Sequence, residues 1–227
     1  MKIGIIGGTG DIGEGMALRF SPKYDVIVGS RKEAKAIATC DLCREKAIAT
    51  CDLCRETLHE QGLECSLLGA TNQRTVDESD VIVLAIPFEY VAPILKTLTR
   101  FEDKVVVSPV NPIKRATYFY HAPPPEGSAA MMIVGMLPSS ATVCAAFNNI
   151  AAGKWKVLGE ELDYSVAVCC DDGDVKQTVM DLVNAVSSLR AYDAGPLAAA
   201  SIVESVTPLL LNIARFNRMR DVGIKFV

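Results

Sequence analysis

Short apolar runs alternate along this chain with stretches of helical spacing. Lys2–Ile6, Tyr24–Val28, Leu63–Ala70, Val81–Ile86, Lys104–Ser108 and Thr142–Ala146 have the length and apolar density of strands. Val81–Ile86 is apolar at every position, as a parallel strand buried on both faces requires. Helical patterns run from about Asp11 to Phe20, from Arg31 to about Gln61, from about Glu89 to Thr99 and from Ser128 to Met136. This alternation predicts an α/β fold with a doubly wound, mainly parallel sheet. A smaller α/β unit is predicted after it. Its strands are Tyr164–Cys170 and Leu189–Asp193, and its helices run from Val175 to Ser188 and from about Ala198 to Met219. The domain boundary is set at residues 152/153, giving units 1–152 and 153–227. The last helix is apolar on most faces, through Ile202, Val203, Val206, Leu209, Leu210, Leu211 and Ile213. Such a helix is either deeply buried or used between subunits, and a homodimer is expected.

The first strand runs straight into Gly7-Gly8-Thr9-Gly10-Asp11-Ile12-Gly13 and then a helix. The spacing reads as G-x-G-x-x-G from Gly8 or G-x-x-G-x-x-G from Gly7. Glycines allow a tight strand-to-helix turn and close approach of a pyrophosphate, which the free N–H groups and positive dipole end of the helix would hold. Strand, glycine turn, helix and strand make half of a dinucleotide-binding unit. The second strand ends in Gly29-Ser30-Arg31-Lys32, with Lys35 one turn on. An NAD site usually places a carboxylate there for the ribose 2′-hydroxyl. A hydroxyl, an Arg fork and an ammonium suit a 2′-phosphate instead, so the dinucleotide read here is NADP(H). Ligands bind outside the carboxyl ends of such strands, which makes Ile86-Pro87-Phe88 and Pro109–Ile113 candidate cofactor walls.

Composition narrows the partners. Half of the 227 residues are hydrophobic and the net charge is −4, which disfavours nucleic acid or an anionic membrane surface as the main partner. No unbroken apolar run reaches the length of a membrane span, and the chain opens on a strand rather than a signal peptide. A cytoplasmic location is expected.

Lys35–Glu45 recurs unchanged as Lys46–Glu56. Eleven residues are close to three helical turns, so both copies present the same faces. The repeat creates two C-x-x-C pairs, Cys40/Cys43 and Cys51/Cys54, about 16 Å apart at 1.5 Å rise per residue. That is too far for one tetrahedral ion, and small packing residues are the reading adopted; no metal site is expected. His59 and His121 read as surface residues. The acidic turn Asp171-Asp172-Gly173-Asp174 lacks calcium-loop spacing and reads as a helix start. No nucleophile–base constellation is found, so no catalytic side chain is expected.

Taken together, these stretches resemble the archaeal NADPH:coenzyme F420 oxidoreductases, a Rossmann-type family. The resemblance rests on Gly7–Gly13, Gly29-Ser30-Arg31, Ala85–Phe88, Val106–Pro109 and Ala146–Ile150. More specific marks are Asp193–Leu197 and the end from Glu204 through Thr207-Pro208-Leu209 to Gly223-Ile224-Lys225. It implies a pyrophosphate site at Thr9, Gly10, Asp11 and Ile12, and a 2′-phosphate site at Ser30, Arg31 and Lys35. Phe88, Ile113 and Ala151 would line the nicotinamide, and Val222 would approach the cofactor from the C-terminal segment. It further implies reversible hydride transfer between NADP(H) and the deazaflavin coenzyme F420, in a pocket at the seam of the two units. Phe147-Asn148-Asn149, Gly195-Pro196-Leu197 and Val222-Gly223 would build that pocket. Another small NADPH-dependent imine or flavin reductase, or a non-catalytic NADP(H) sensor, would share the same first half.

Overall fold

The structure, a computed structural model, describes residues 1–30 and 39–227, with side chains in the helix that starts at Thr39 described from residue 44 onward. Arg31 and Lys35 therefore lie outside the described residues. Six parallel strands form the main sheet in the order β3-β2-β1-β4-β5-β8. They are β1 (Lys2–Ile6), β2 (Asp25–Ser30), β3 (Ser66–Thr71), β4 (Val81–Leu84), β5 (Val105–Ser108) and β8 (Thr142–Ala145). All four side chains of β4 are buried, as a central strand covered on both faces must be. The order reverses direction at β1, so the Gly7–Gly13 turn emerges at the switch point where doubly wound sheets bind ligands.

Helix α1 (Asp11–Phe20) follows β1, and α2 (Thr39–Glu60) connects β2 to β3. The described packing face of α2 comes from the second copy of the repeat and the residues just after it. Ala47, Cys51, Cys54 and Leu58 are all buried. Gly69 of β3 lets the helix backbone lie close, since a Cβ there would sit 2.5 Å from the Ile48 nitrogen. Burial pushes the Cys51 thiol up to about 11 and the Cys54 thiol up to about 12, which suits packing and not thiolate chemistry.

Helix α3 (Asn72–Glu78) is not evident in the sequence. Thr71 caps it by accepting from the Arg74 N–H, and Arg74 pairs with Glu78 at 2.6 Å. After β4 comes α4 (Phe88–Leu95). A short antiparallel hairpin of β6 (Ile113–Arg115) and β7 (Phe119–His121) then precedes α5 (Ala129–Val134). After β8 come α6 (Ala152–Trp155), β9 (Ser165–Val168), α7 (Gly173–Asn184) and β10 (Arg190–Asp193). Strands β9 and β10 pair in parallel, and β9 meets the end of β8 through the antiparallel bridge Ala145–Cys169. Val166, Val168, Leu182 and Val183 of this C-terminal part join the same apolar cluster as Ile3, Ile5, Phe20 and Phe147.

The chain ends with α8 (Ala200–Phe216) and an irregular tail. By length and average hydropathy, Leu197–Phe216 qualifies as a membrane-span candidate, although Glu204, Ser205, Thr207, Asn212 and Arg215 interrupt any unbroken run. It is used here as a packing helix. Glu204 is fully buried and accepts the Ala129 and Ala130 N–H groups at 2.9 and 3.0 Å. Asn212 exchanges two hydrogen bonds with the Phe119 backbone, at 2.8 and 2.7 Å. His121, expected at the surface, instead faces Glu204, with Nε2 at 3.6 Å from the carboxylate.

Candidate functional site

The glycine turn is shaped by close approach. Gly7 adopts φ +82°, and a Cβ there would run into Ile86 and the Ala85 carbonyl. At Gly13 a Cβ would lie 2.5 Å from the Gly7 oxygen, so the first turn of α1 rests directly on the loop. Gly10 caps α1 with no side chain, and its own N–H is spent on the Gly7 carbonyl at 3.0 Å. The first helical bond is Glu14 N–H to the Gly10 carbonyl, at 2.8 Å. Among the described residues, the N–H groups of Thr9, Asp11 and Ile12 have no acceptor. Thr9, Gly10 and Asp11 are exposed. Unspent amides at the positive end of a helix fit a pyrophosphate.

Ser30 closes β2, buried and paired in register with Thr71 of β3. Phe88 opens α4 just past β4, and Ile113 opens the hairpin past β5, both half-buried at the carboxyl edge of the sheet. Asn148 ties that edge together. Its side-chain amide donates to the Val110 carbonyl at 3.1 Å, while its backbone carbonyl accepts from the Asn111 side-chain amide at 2.9 Å and from the Thr207 hydroxyl at 2.5 Å.

A cleft of about 250 Å³ opens beside this edge. Asn149 to Gly153 form one wall; Thr207, Leu210, Leu211 and Ala214 of α8 form another; Asp221 and Val222 of the tail close it. It brings together two of the expected residues, Ala151 and Val222. Phe88 and Ile113 are not part of its lining, and neither are Gly195, Pro196 and Leu197. Gly195 belongs to a turn closed by its N–H on Asp193 at 2.8 Å, and Leu197 is buried in the core. Phe147, with φ +64°, points into the core, where its ring meets Phe20 at 5.9 Å and Trp155 at 5.7 Å. The space above Gly223 is filled by the Tyr164 ring rather than left open for a heterocycle. A larger cleft of about 530 Å³, lined by Met1, Ser21–Asp25 and Glu64–Ser66, lies at the amino ends of the strands, away from the glycine turn.

Two basic residues link the turn to the cleft, and neither stands out in the sequence. Arg19, on the last turn of α1, donates to the Trp155 carbonyl at 2.9 Å and the Val157 carbonyl at 2.7 Å, and also reaches those of Lys154 and Glu160. Gly15 lets α6 pack on α1, since a Cβ would sit 2.8 Å from the Trp155 carbonyl carbon. Lys156 places its ammonium 3.0 Å from Asp11 and 2.9 Å from Glu14. Burial draws that ammonium down, but the two carboxylates outweigh it and the net shift is upward. These partners stand more than 130 positions apart, so no periodicity or local motif could have announced them.

A family model described as "NADP oxidoreductase coenzyme F420-dependent" matches residues 2–112. The F420-dependent NADP reductase of Methanocaldococcus jannaschii is 35% identical over 99% of this chain and 97% of that protein. The one from Methanothermobacter thermautotrophicus is 35% identical over 99% of this chain and 94% of that protein. Among solved structures, a candidate F420-dependent NADP reductase from Arthrobacter superposes with TM-score 0.75 over 100% of this chain and 99% of its own, at 19% identity. That last likeness shows a shared Rossmann-type fold. With near-full-length identity to two curated reductases behind it, the chain belongs to the F420-dependent NADP reductase family.

Proposed function

We infer that this protein is an oxidoreductase that passes a hydride reversibly between NADP(H) and coenzyme F420. The observation that carries the reading is the pairing of a free-amide glycine turn with a separate cleft whose wall is fastened to the same helix. When bound, the nicotinamide supplies the hydride and the deazaflavin accepts it. The chain's own residues bind, orient and exclude water. Thr9, Gly10, Asp11 and Ile12 are proposed for the pyrophosphate, and Ser30, Arg31 and Lys35 for the 2′-phosphate. Phe88, Ile113, Ala151 and Val222 are proposed along the ring positions. Among the described residues, Asp221 is the one ionisable side chain that lines the cleft, as suits a direct transfer that needs no nucleophile.

The division into a cofactor half, residues 1–152, and a half that completes the acceptor site, residues 153–227, belongs to this proposal. So does a homodimer. Its support is the exposed stripe Ile202, Leu209, Ile213 and Phe216 on α8, with Ile202 72% and Phe216 66% exposed. A cytoplasmic location, with no nucleic-acid or membrane partner, completes the reading. The test is to mix the protein with NADPH and either F420 or FMN and to follow acceptor absorbance. Reduction of F420 but not FMN is expected. Rapid reduction of FMN with none of F420 would overturn the assignment.

A further inference from the structure

The first turn of α1 carries two carboxylates, Asp11 and Glu14, at the end proposed for an anion. Carboxylates favour a helix N-terminus in isolation, but next to a doubly charged pyrophosphate they repel it. Left unbalanced, they would cancel much of what the free Thr9, Asp11 and Ile12 amides offer. The structure supplies a counter-charge from far along the chain. The ammonium of Lys156 lies between them, at 3.0 Å from Asp11 and 2.9 Å from Glu14. Its backbone is held there by the neighbouring carbonyls that Arg19 grips.

We propose that Lys156 is a positioning residue for the dinucleotide: by neutralising Asp11 and Glu14 it converts the N-terminus of α1 into a site that accepts a pyrophosphate. This rests on the NADP(H) reading above. The role belongs to the part of the cofactor that NADPH and NADH share, so Lys156 acts on both equally. The 2′-phosphate contacts would separate them. The ammonium stays charged through the neutral range, because its carboxylate partners hold its pKa up against burial.

The experiment is fluorescence titration of the full chain with NADPH and with NADH, at low and high salt. Lys156→Met is expected to weaken both cofactors by a similar factor, on the order of tenfold at low salt, with the gap narrowing as salt rises. Lys156→Arg should bind like the parent. Asp11→Asn placed in the Lys156→Met background should recover most of the loss, because the double variant restores the parent's net charge at this turn, with Glu14 alone left unpaired. A merely structural lysine would show no such rescue. Unchanged affinity of Lys156→Met, loss confined to NADPH, or failure of Asp11→Asn to restore binding would each overturn the proposal. Should Lys156→Met unfold, the comparison of Asp11→Asn with the parent decides. Weaker or unchanged cofactor binding in Asp11→Asn at low salt, where Glu14 alone then faces the ammonium, would refute the charge argument; tighter binding would support it. Failure of the parent protein to bind NADPH at all would instead sink the functional assignment.

Discussion

Glu204 offers the sharpest quantitative prediction. Its carboxyl is fully buried on α8 and faces the N-terminus of α5. Burial pushes it up from 4.5 to about 7, against the two backbone N–H bonds that favour the charged form. A folded-state pKa raised above the unfolded one means that the protonated form favours folding. That contribution is fully present below about 4.5 and is lost as pH rises through about 7. The full shift corresponds to roughly 3 kcal/mol at about 1.36 kcal/mol per unit. Between pH 5.5 and 8 the loss works out at about 2 kcal/mol, which for a chain of this size lowers Tm by about 4–8 °C. His121, the titratable group facing it, has its pKa lowered by burial. Its contribution has the opposite sign, present above its usual 6.5 and lost as pH falls, so the two must be separated. Thermal unfolding of the parent and of Glu204→Gln, measured across this range at constant ionic strength, does so. The variant should lose the downward slope with rising pH, whatever its absolute stability. An unchanged slope in Glu204→Gln would refute the reasoning.

Three further outcomes are expected. Arg31→Ala should weaken NADPH by on the order of 2 kcal/mol, the loss of a charge-assisted pair, and leave NADH nearly unchanged in the same titration; equal losses would show a structural role. Deleting Lys35–Glu45 should leave a folded, active protein with Tm within a few degrees, because Ala47, Cys51 and Cys54 of the second copy, with Leu58 just after it, make the described helix packing; collapse of the circular dichroism spectrum would contradict this. Placing Glu at Ile202 and Phe216 together should shift sedimentation from dimer to monomer, since both apolar side chains are exposed in the single chain; unchanged sedimentation of a dimeric parent would move the interface elsewhere.

Much of the fold is legible because a buried parallel sheet writes itself as unbroken apolar runs. Val81–Leu84 and residues 105–107 are examples. Four glycines within seven residues, set between a strand and a helix, mark a turn of the kind that can hold a phosphate against the backbone. Helix α3 is not legible, because Asn72-Gln73-Arg74 present no apolar face and its start depends on the Thr71 cap. The hairpin is hidden by its three-residue strands. His121 looks like a surface residue in the sequence because only that hairpin lays it against α8. At the site, the expected residues Ala151 and Val222 do share a cleft, while Phe147 and Leu197, equally apolar, belong to the core. Apolar residues at strand ends look alike in either role. Only the backbone's turn, φ +64° at Phe147, sends the side chain inward.

Helix α1 ties the proposed phosphate site to the cleft. On the proposed reading its first turn would set where the donor's phosphates sit, while its flank, through Gly15 and Arg19, holds the segment that begins one wall of the cleft. The proposed phosphate site and the cleft wall are thus both fixed to one ten-residue rod. The eleven-residue duplication lies in the connection between β2 and β3, and its second copy packs on this same helix, where the Cys54 thiol meets the Glu14 carbonyl.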